Sequence, residues 1–249
     1  MYQQTKHSVG ERESGYHQAM KSYPLARHEE FSQMVQWADI QPGQTIGDFI
    51  SAGGYLDNYI DPSVKVICVE ASEDYAQLAS ENNGAETTLL CKDIGQIPLP
   101  SESLDRAICL AGTHHLPNKL ALYRETYRLL KTGSIFCVAD VLANSDVDRF
   151  LDVFVDRHST KGHQGVFFDE NTLRDLESVG FQIDRHQTIQ YHWKFDSLNS
   201  MVHFCRLLFR INRARDEEIL NGIENYLGYQ AIGNQYLMNW GLYFFRAIK

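Results

Sequence analysis

The run Gly47-Asp48-Phe49-Ile50-Ser51-Ala52-Gly53-Gly54-Tyr55-Leu56 constrains this chain more than any other segment. It follows a Pro42-Gly43 turn and reads as a strand, a tight small-residue loop and a helix start. A second strand, Val64-Lys65-Val66-Ile67-Cys68-Val69, comes next and ends in an acid, Glu70. Small residues let backbone approach a ligand closely, and an acid closing the next strand can accept hydrogen bonds from ribose hydroxyls. That layout suits an adenosine-containing ligand. Read alone, the loop is equally a plain tight turn, because it keeps only two adjacent glycines.

The rest of the chain alternates strands and helices. Strands are expected at 45–50, 64–69, 87–90, 104–110 and 134–140, with helices at 54–60, 72–82 and 118–131 between them. This pattern calls for a parallel sheet covered on both faces. Thr132-Gly133 is expected to stop the helix at 118–131. Further on, a helix is expected near 144–158, a loop from His158 to Gly165, and a helix at 169–178 with Asp169 as N-cap. A strand at 181–191, helical segments across 198–230 and a last strand from Trp240 to Ile248 complete the chain. Ahead of the first strand, residues 14–39 carry a helical apolar pattern broken at Pro24.

Further motifs follow in a fixed order: Cys91-Lys92-Asp93-Ile94, Ile97-Pro98-Leu99-Pro100, Ser103 to Leu110, Thr113-His114-His115-Leu116, Arg128 to Ser134, and Ile135 to Asp140. In this order the chain closely resembles class I S-adenosylmethionine-dependent methyltransferases of the small-molecule branch, at motif level from about Thr45 to Val141. The resemblance implies an α/β, Rossmann-like doubly wound seven-stranded sheet with its last strand antiparallel. It implies S-adenosyl-L-methionine as cofactor, held by Asp48, Ile50, Ser51, Gly53 and Gly54 in the turn, Glu70 and Ala71 at the ribose, Asp93 and Ile94 at the adenine, and Leu110 and Ala111 beside the reacting methyl. The family turn usually reads Asp-x-Gly-x-Gly-x-Gly. Ile50 and Ala52 stand here at its first two glycine positions. A branched residue at position 50 is strained if the backbone there takes a positive φ.

The resemblance also orders the domain. Residues 1–12 are expected as a disordered tail, and 13–249 as one domain with a helical cap at 13–40 and a helical lid at 194–238. Methyl transfer to oxygen or nitrogen removes a proton, which a near-neutral His can accept; a carboxylate acceptor needs no base. His114 and His115, just past the fourth strand, and His163, in a Gly-flanked loop, are the catalytic candidates. One of His114 and His115 is expected to face the acceptor and the other to point away. Tyr16, Tyr23, Asp140, Tyr191 and Trp193 are candidate acceptor contacts, with packing roles as the competing reading. No metal site is expected, since His158 and His163 lack a third ligand at matching spacing.

A net charge of −9 argues against a nucleic-acid partner. No apolar run approaches the ~20 residues that span a bilayer, and the N-terminus lacks the apolar core of a secretory signal. Four of the five cysteines fall in or beside expected strands without any Cys-x-x-Cys pair, which suits buried thiols in the cytoplasm. The expected function is methyl transfer to a small molecule at oxygen, nitrogen or carbon, in specialised metabolism. Two alternatives stand beside it: altered chemistry that cyclises or cleaves the cofactor, and non-catalytic binding in which Ile50 excludes it. A homodimer is left open.

Overall fold

The computed structural model describes residues 9–249, with side chains described from Gly15 onward apart from Ala85. Two helices precede the sheet, α1 (Val9–Ser22) and α2 (His28–Ala38). Helix α1 therefore includes residues 9–12, which were expected in a disordered tail; residues 1–8 of that tail lie outside the described residues. The strands β1 (Thr45–Phe49), β2 (Lys65–Glu70), β3 (Thr88–Leu90), β4 (Leu104–Leu110) and β5 (Leu130–Asp140) run parallel. Helix α3 (Glu73–Asn83) joins β2 to β3, and α4 (Lys119–Leu129) joins β4 to β5.

A helical stretch then runs through α5 (Asp146–Arg149), a widened π-type segment (Phe150–Val155) and α6 (Asp156–His158). It is followed by α7 (Thr172–Val179), β6 (Gln182–Phe195), α8 (Leu198–Phe209), α9 (Asp216–Tyr226), β7 (Tyr229–Ile232) and β8 (Gln235–Ile248). The sheet order is β3-β2-β1-β4-β5-β8-β6, and β8 runs antiparallel to both of its neighbours. Those seven strands match the expected doubly wound sheet with its last strand reversed. The eighth, β7, folds onto β8 through Gly233-Asn234, with Gly233 at φ +59°. A two-residue turn opening on glycine is a common hairpin connection.

Four local expectations need correction. Residues 54–60 form only a short 3-10 turn, Leu56–Tyr59. Gly53 and Gly54 are both left-handed (φ +94° and +68°), and such backbone cannot start a right-handed helix. Helix α4 stops at Leu129, not at Gly133, because Leu130 already pairs with Leu104 in the sheet. Helix α7 begins at Thr172, and Asp169 accepts from the Asn171 backbone N–H without capping the helix. Strands β6 and β8 each run to 14 residues, so the expected lid shrinks to α8, α9 and β7.

The sheet separates two apolar layers. One gathers the cap helices, the 150–155 segment and the lid around Phe150, Trp193, Phe204 and Phe244. The other packs α4 and α7 against Phe136, Phe168 and Phe245. Phe245 is fully buried, with Phe168, Phe136 and Tyr123 ring centroids 5.3, 6.2 and 6.4 Å away. We expect Phe245→Ala to lower the unfolding free energy by about 3–5 kcal/mol in urea titrations. A loss under about 1 kcal/mol would mean that this layer is loosely packed.

Candidate active site

The turn after β1 is the first component. Ile50 N–H donates to Val69 C=O at 2.8 Å, tying the turn to β2. Ile50 sits at φ +58° and Ala52 at φ +52°. A non-glycine residue there pays about 1–2 kcal/mol, and a β-branched one is an outlier. The sequence has replaced glycine without changing the left-handed backbone that glycine would favour. The Ile50 side chain is buried against Gly112, at the end of β4. A Cβ on Gly112 would meet Ile50 Cβ at 2.9 Å.

Glu70 fastens this turn. Its Oε1 accepts from Ser51 Oγ at 2.6 Å and from Gly53 N–H at 2.9 Å, and the residue is only 1% exposed. Burial pushes its carboxyl up to about 7, although the Ser51, Gly53 and Ala52 hydrogen bonds pull the other way. Asp57 bonds Cys68 and Asn83 and is pushed up to about 6, mainly by burial. Asp48 is buried and makes no hydrogen bond or ion pair among the described residues. Burial, then the nearby Asp57 and Glu70, raise its carboxyl well above the usual range. Among the described residues none of the three carboxylates has a cationic partner.

The second component is a His–Asp pair at the ends of β4 and β5. Asp140 is fully buried and accepts four hydrogen bonds. They come from Thr113 Oγ1 (2.6 Å), His114 N–H (2.9 Å), His114 Nδ1 (2.7 Å) and Val141 N–H (2.8 Å). Burial pushes its carboxyl up, but the His114 ring and the other donors outweigh it, so Asp140 stays ionised. With Nδ1 committed to Asp140, Nε2 is the ring nitrogen left to the cavity. His163 is held alike, Nδ1 to Asp152 Oδ1 at 2.6 Å, from the π-type segment. The ring centroids of His114 and His163 lie 5.5 Å apart.

These parts border a cavity of about 370 Å³, within the ~300–1,000 Å³ of small-molecule sites. Of the expected residues, Tyr16, Ile50, Leu110, Ala111, His114, His115, His163 and Trp193 line it. Both His114 and His115 do so, which corrects the expectation that one turns away. Asp48, Ser51, Gly53, Gly54, Glu70, Ala71, Asp93 and Ile94 lie outside the lining. Asp93 is exposed and accepts from Gly95 N–H and Gln96 Nε2 in its own turn.

Three acceptor candidates do not line the cavity. Tyr23 hydrogen-bonds His203 and packs on Phe195 and Phe204, away from the cavity. Tyr191 is buried outside the lining. Asp140 reaches the cavity only through His114. The expected list also lacks several lining residues: Arg27 and Glu30 from the cap, Leu208 and Phe209 from α8, and Trp240 from β8. Trp193, Trp240 and Phe209 form an aromatic wall, with Trp193 and Trp240 centroids 4.1 Å apart at 22° and Phe209 5.8 Å from Trp240 at 23°.

Residues 50–138 match the methyltransferase-domain family model. A sterol 24-C-methyltransferase of Yarrowia lipolytica is 24% identical over 80% of this chain and 58% of its own length. An arsenite methyltransferase of Halobacterium salinarum is 28% identical over 59% of this chain and 39% of its own. The chain thus spans roughly half the length of the curated relatives it matches. The solved YcgJ protein from Bacillus subtilis superposes with a TM-score of 0.61 at 16% identity, covering 89% of this chain and 98% of that one. Over residues 50–138 the chain is thus similar to the methyltransferase-domain family, and its sheet has the fold of the solved methyltransferase-like structures.

The residues present fit that family's cofactor. Buried carboxylates without cationic partners seek hydrogen-bond donors and positive charge. S-adenosylmethionine offers ribose hydroxyls, an ammonium and a sulfonium.

The raised Glu70 carboxyl sets a pH dependence. A proton binds it more tightly in the folded state than at the ordinary value of 4.5. The stability it confers is full below pH 4.5 and is lost as the pH climbs to about 7. This amounts to on the order of 3 kcal/mol. Glu70→Gln, uncharged throughout, should flatten the fall in Tm of the ligand-free protein between pH 5 and 8. An unchanged slope would place the titrating group elsewhere.

Proposed function

We propose that this protein transfers a methyl group from S-adenosylmethionine to a small, largely apolar acceptor at oxygen, nitrogen or carbon, within specialised metabolism. The observation that carries the reading is a cavity bordered jointly by the β1 turn at Ile50 and Ala52, the Asp140-held His114 and the aromatic wall. Cofactor binding is assigned to Asp48, Ile50, Ser51, Gly53, Gly54, Glu70, Ala71, Asp93, Ile94, Leu110 and Ala111. When bound, S-adenosylmethionine supplies a methyl group already activated on sulfur.

The chain's own residues then have three tasks. The apolar walls orient the acceptor and exclude water, which supplies much of the rate in an alignment-limited reaction. His114 Nε2 takes a proton from a hydroxyl or amine acceptor. Asp140 fixes the His114 tautomer and stabilises the imidazolium. His163, braced by Asp152, is a second proton acceptor on the facing loop, and His115 borders the same space.

Net acidity disfavours a nucleic-acid partner. All five cysteines are free and buried, which supports a cytoplasmic location. Among the described residues no helix is long and apolar enough to cross a membrane.

The test is product analysis with methyl-labelled S-adenosylmethionine and a panel of hydroxylated and aminated apolar molecules. Labelled acceptor and S-adenosylhomocysteine in equal amounts are expected. Release of methylthioadenosine, or no cofactor turnover with any acceptor, would overturn the reading. With an oxygen or nitrogen acceptor in hand, Asp140→Asn should lower kcat by about 10²–10⁴-fold while the S-adenosylhomocysteine Kd stays the same. An unchanged kcat would remove His114 from proton transfer.

A further inference from the structure

The cap contributes a polar cluster to the cavity wall that the methyl-transfer chemistry does not use. Arg27 is 5% exposed and Glu30 is fully buried. Arg27 donates Nε–H to Glu30 Oε2 at 3.2 Å, Nη2–H to Glu30 Oε1 at 2.5 Å and Nη1–H to Tyr16 Oη at 2.7 Å. Trp193 Nε1–H adds a further bond to Glu30 Oε2 at 2.6 Å. Glu30 thereby accepts three bonds, and its charge is cancelled by Arg27. A guanidinium carries five N–H groups, so one on Nη1 and one on Nη2 have no acceptor among the described residues. The Tyr16 hydroxyl accepts from Arg27, and its own hydrogen likewise has no acceptor there. Burial keeps that hydroxyl protonated. Tyr16, Arg27, Glu30 and Trp193 all line the cavity.

Resting on the reading of this cavity as the acceptor site, we infer that Arg27 and Tyr16 form an anchor for a neutral carbonyl oxygen on a flat, apolar acceptor. The three unused donors of the cluster, two on Arg27 and one on Tyr16, outnumber the lone pairs left on Glu30 Oε1 and Tyr16 Oη, so it favours a ligand that brings a lone pair. The oxygen belongs to a neutral group, because Glu30 already balances Arg27. Beside this pair a carboxylate meets no net positive charge, and its desolvation is offset only by cations elsewhere in the lining, Lys161 and Arg210. Flatness follows from the near-parallel Trp193, Trp240 and Phe209 rings, which offer a stacking face next to Arg27 (guanidinium 5.6 Å from the Trp193 centroid).

The test uses three flat bicyclic probes of similar size: coumarin with a ring carbonyl, naphthalene with no polar atom, and 2-naphthoate with a carboxylate. Their Kd values are read by tryptophan fluorescence on the full chain without cofactor. Coumarin should bind about tenfold more tightly than either of the others. Tyr16→Phe should narrow the coumarin preference several-fold and leave naphthalene unchanged. Arg27→Met/Glu30→Leu, which removes both charges together, should abolish the preference. Equal affinities for coumarin and naphthalene, tightest binding of 2-naphthoate, no binding of any probe, or variants that weaken all three probes alike would each overturn the anchor. A parallel titration with S-adenosylhomocysteine on the native protein and on Glu70→Ala reports on the methyltransferase reading separately, since it reads the β1 turn and not the preference among the three probes.

Discussion

The contact on which the rest of the site depends is the bond set between Glu70 and the turn after β1. A turn with left-handed backbone at positions 50, 52, 53 and 54 does not hold its shape by propensity. It is held because β2 runs parallel to β1 and ends on a carboxylate placed to accept from Ser51 and Gly53. The effect passes along the carboxyl edge of the sheet. Ile50, set by the turn, packs on Gly112 at the end of β4. The next residues, Thr113 and His114, are tied to Asp140 at the end of β5. Four strand ends are thus linked by named contacts, and the cavity opens above them.

The energetics of this edge are unusual for a small domain. Asp48, Asp57 and Glu70 are withdrawn from water with no positive partner among the described residues, and burial raises their proton affinities. Folding tolerates it because the apolar layers on both faces of the sheet supply the burial. On the cap side the opposite solution is found. Arg27 and Glu30 are also buried, yet their charges cancel in an ion pair. The carboxylates around the β1 turn and the donor-bearing cap wall are thus two chemically distinct environments on either side of the site.

Much of this was legible in the sequence, for identifiable reasons. The parallel sheet showed itself because strands buried on both faces read as apolar runs, such as Val66 to Val69 and Ile135 to Ala139. Its reversed last strand came with the family resemblance. Asp48, Glu70, His114 and His163 could be singled out because chemistry-bearing residues fell at strand ends or in a Gly-flanked loop. Arg27 and Glu30 were not, since a charged pair three apart at a helix start looks like any solvated face. Only the packing of α2 beneath Trp193 buries it. The β7–β8 hairpin went unread because its Gly-Asn turn lies between short polar segments without clear alternation. Trp240 and Phe209 showed as apolar residues, but no local pattern tells a cavity wall from a core.

The central claim is that the Glu70-held turn is a working cofactor site despite Ile50 and Ala52. Calorimetric titration with S-adenosylhomocysteine and S-adenosylmethionine tests it most directly, on the native protein and on Glu70→Ala. Micromolar binding that weakens by about 1–3 kcal/mol in the variant is the predicted result. No binding of either ligand to the native protein, or equal binding to both proteins, would contradict it.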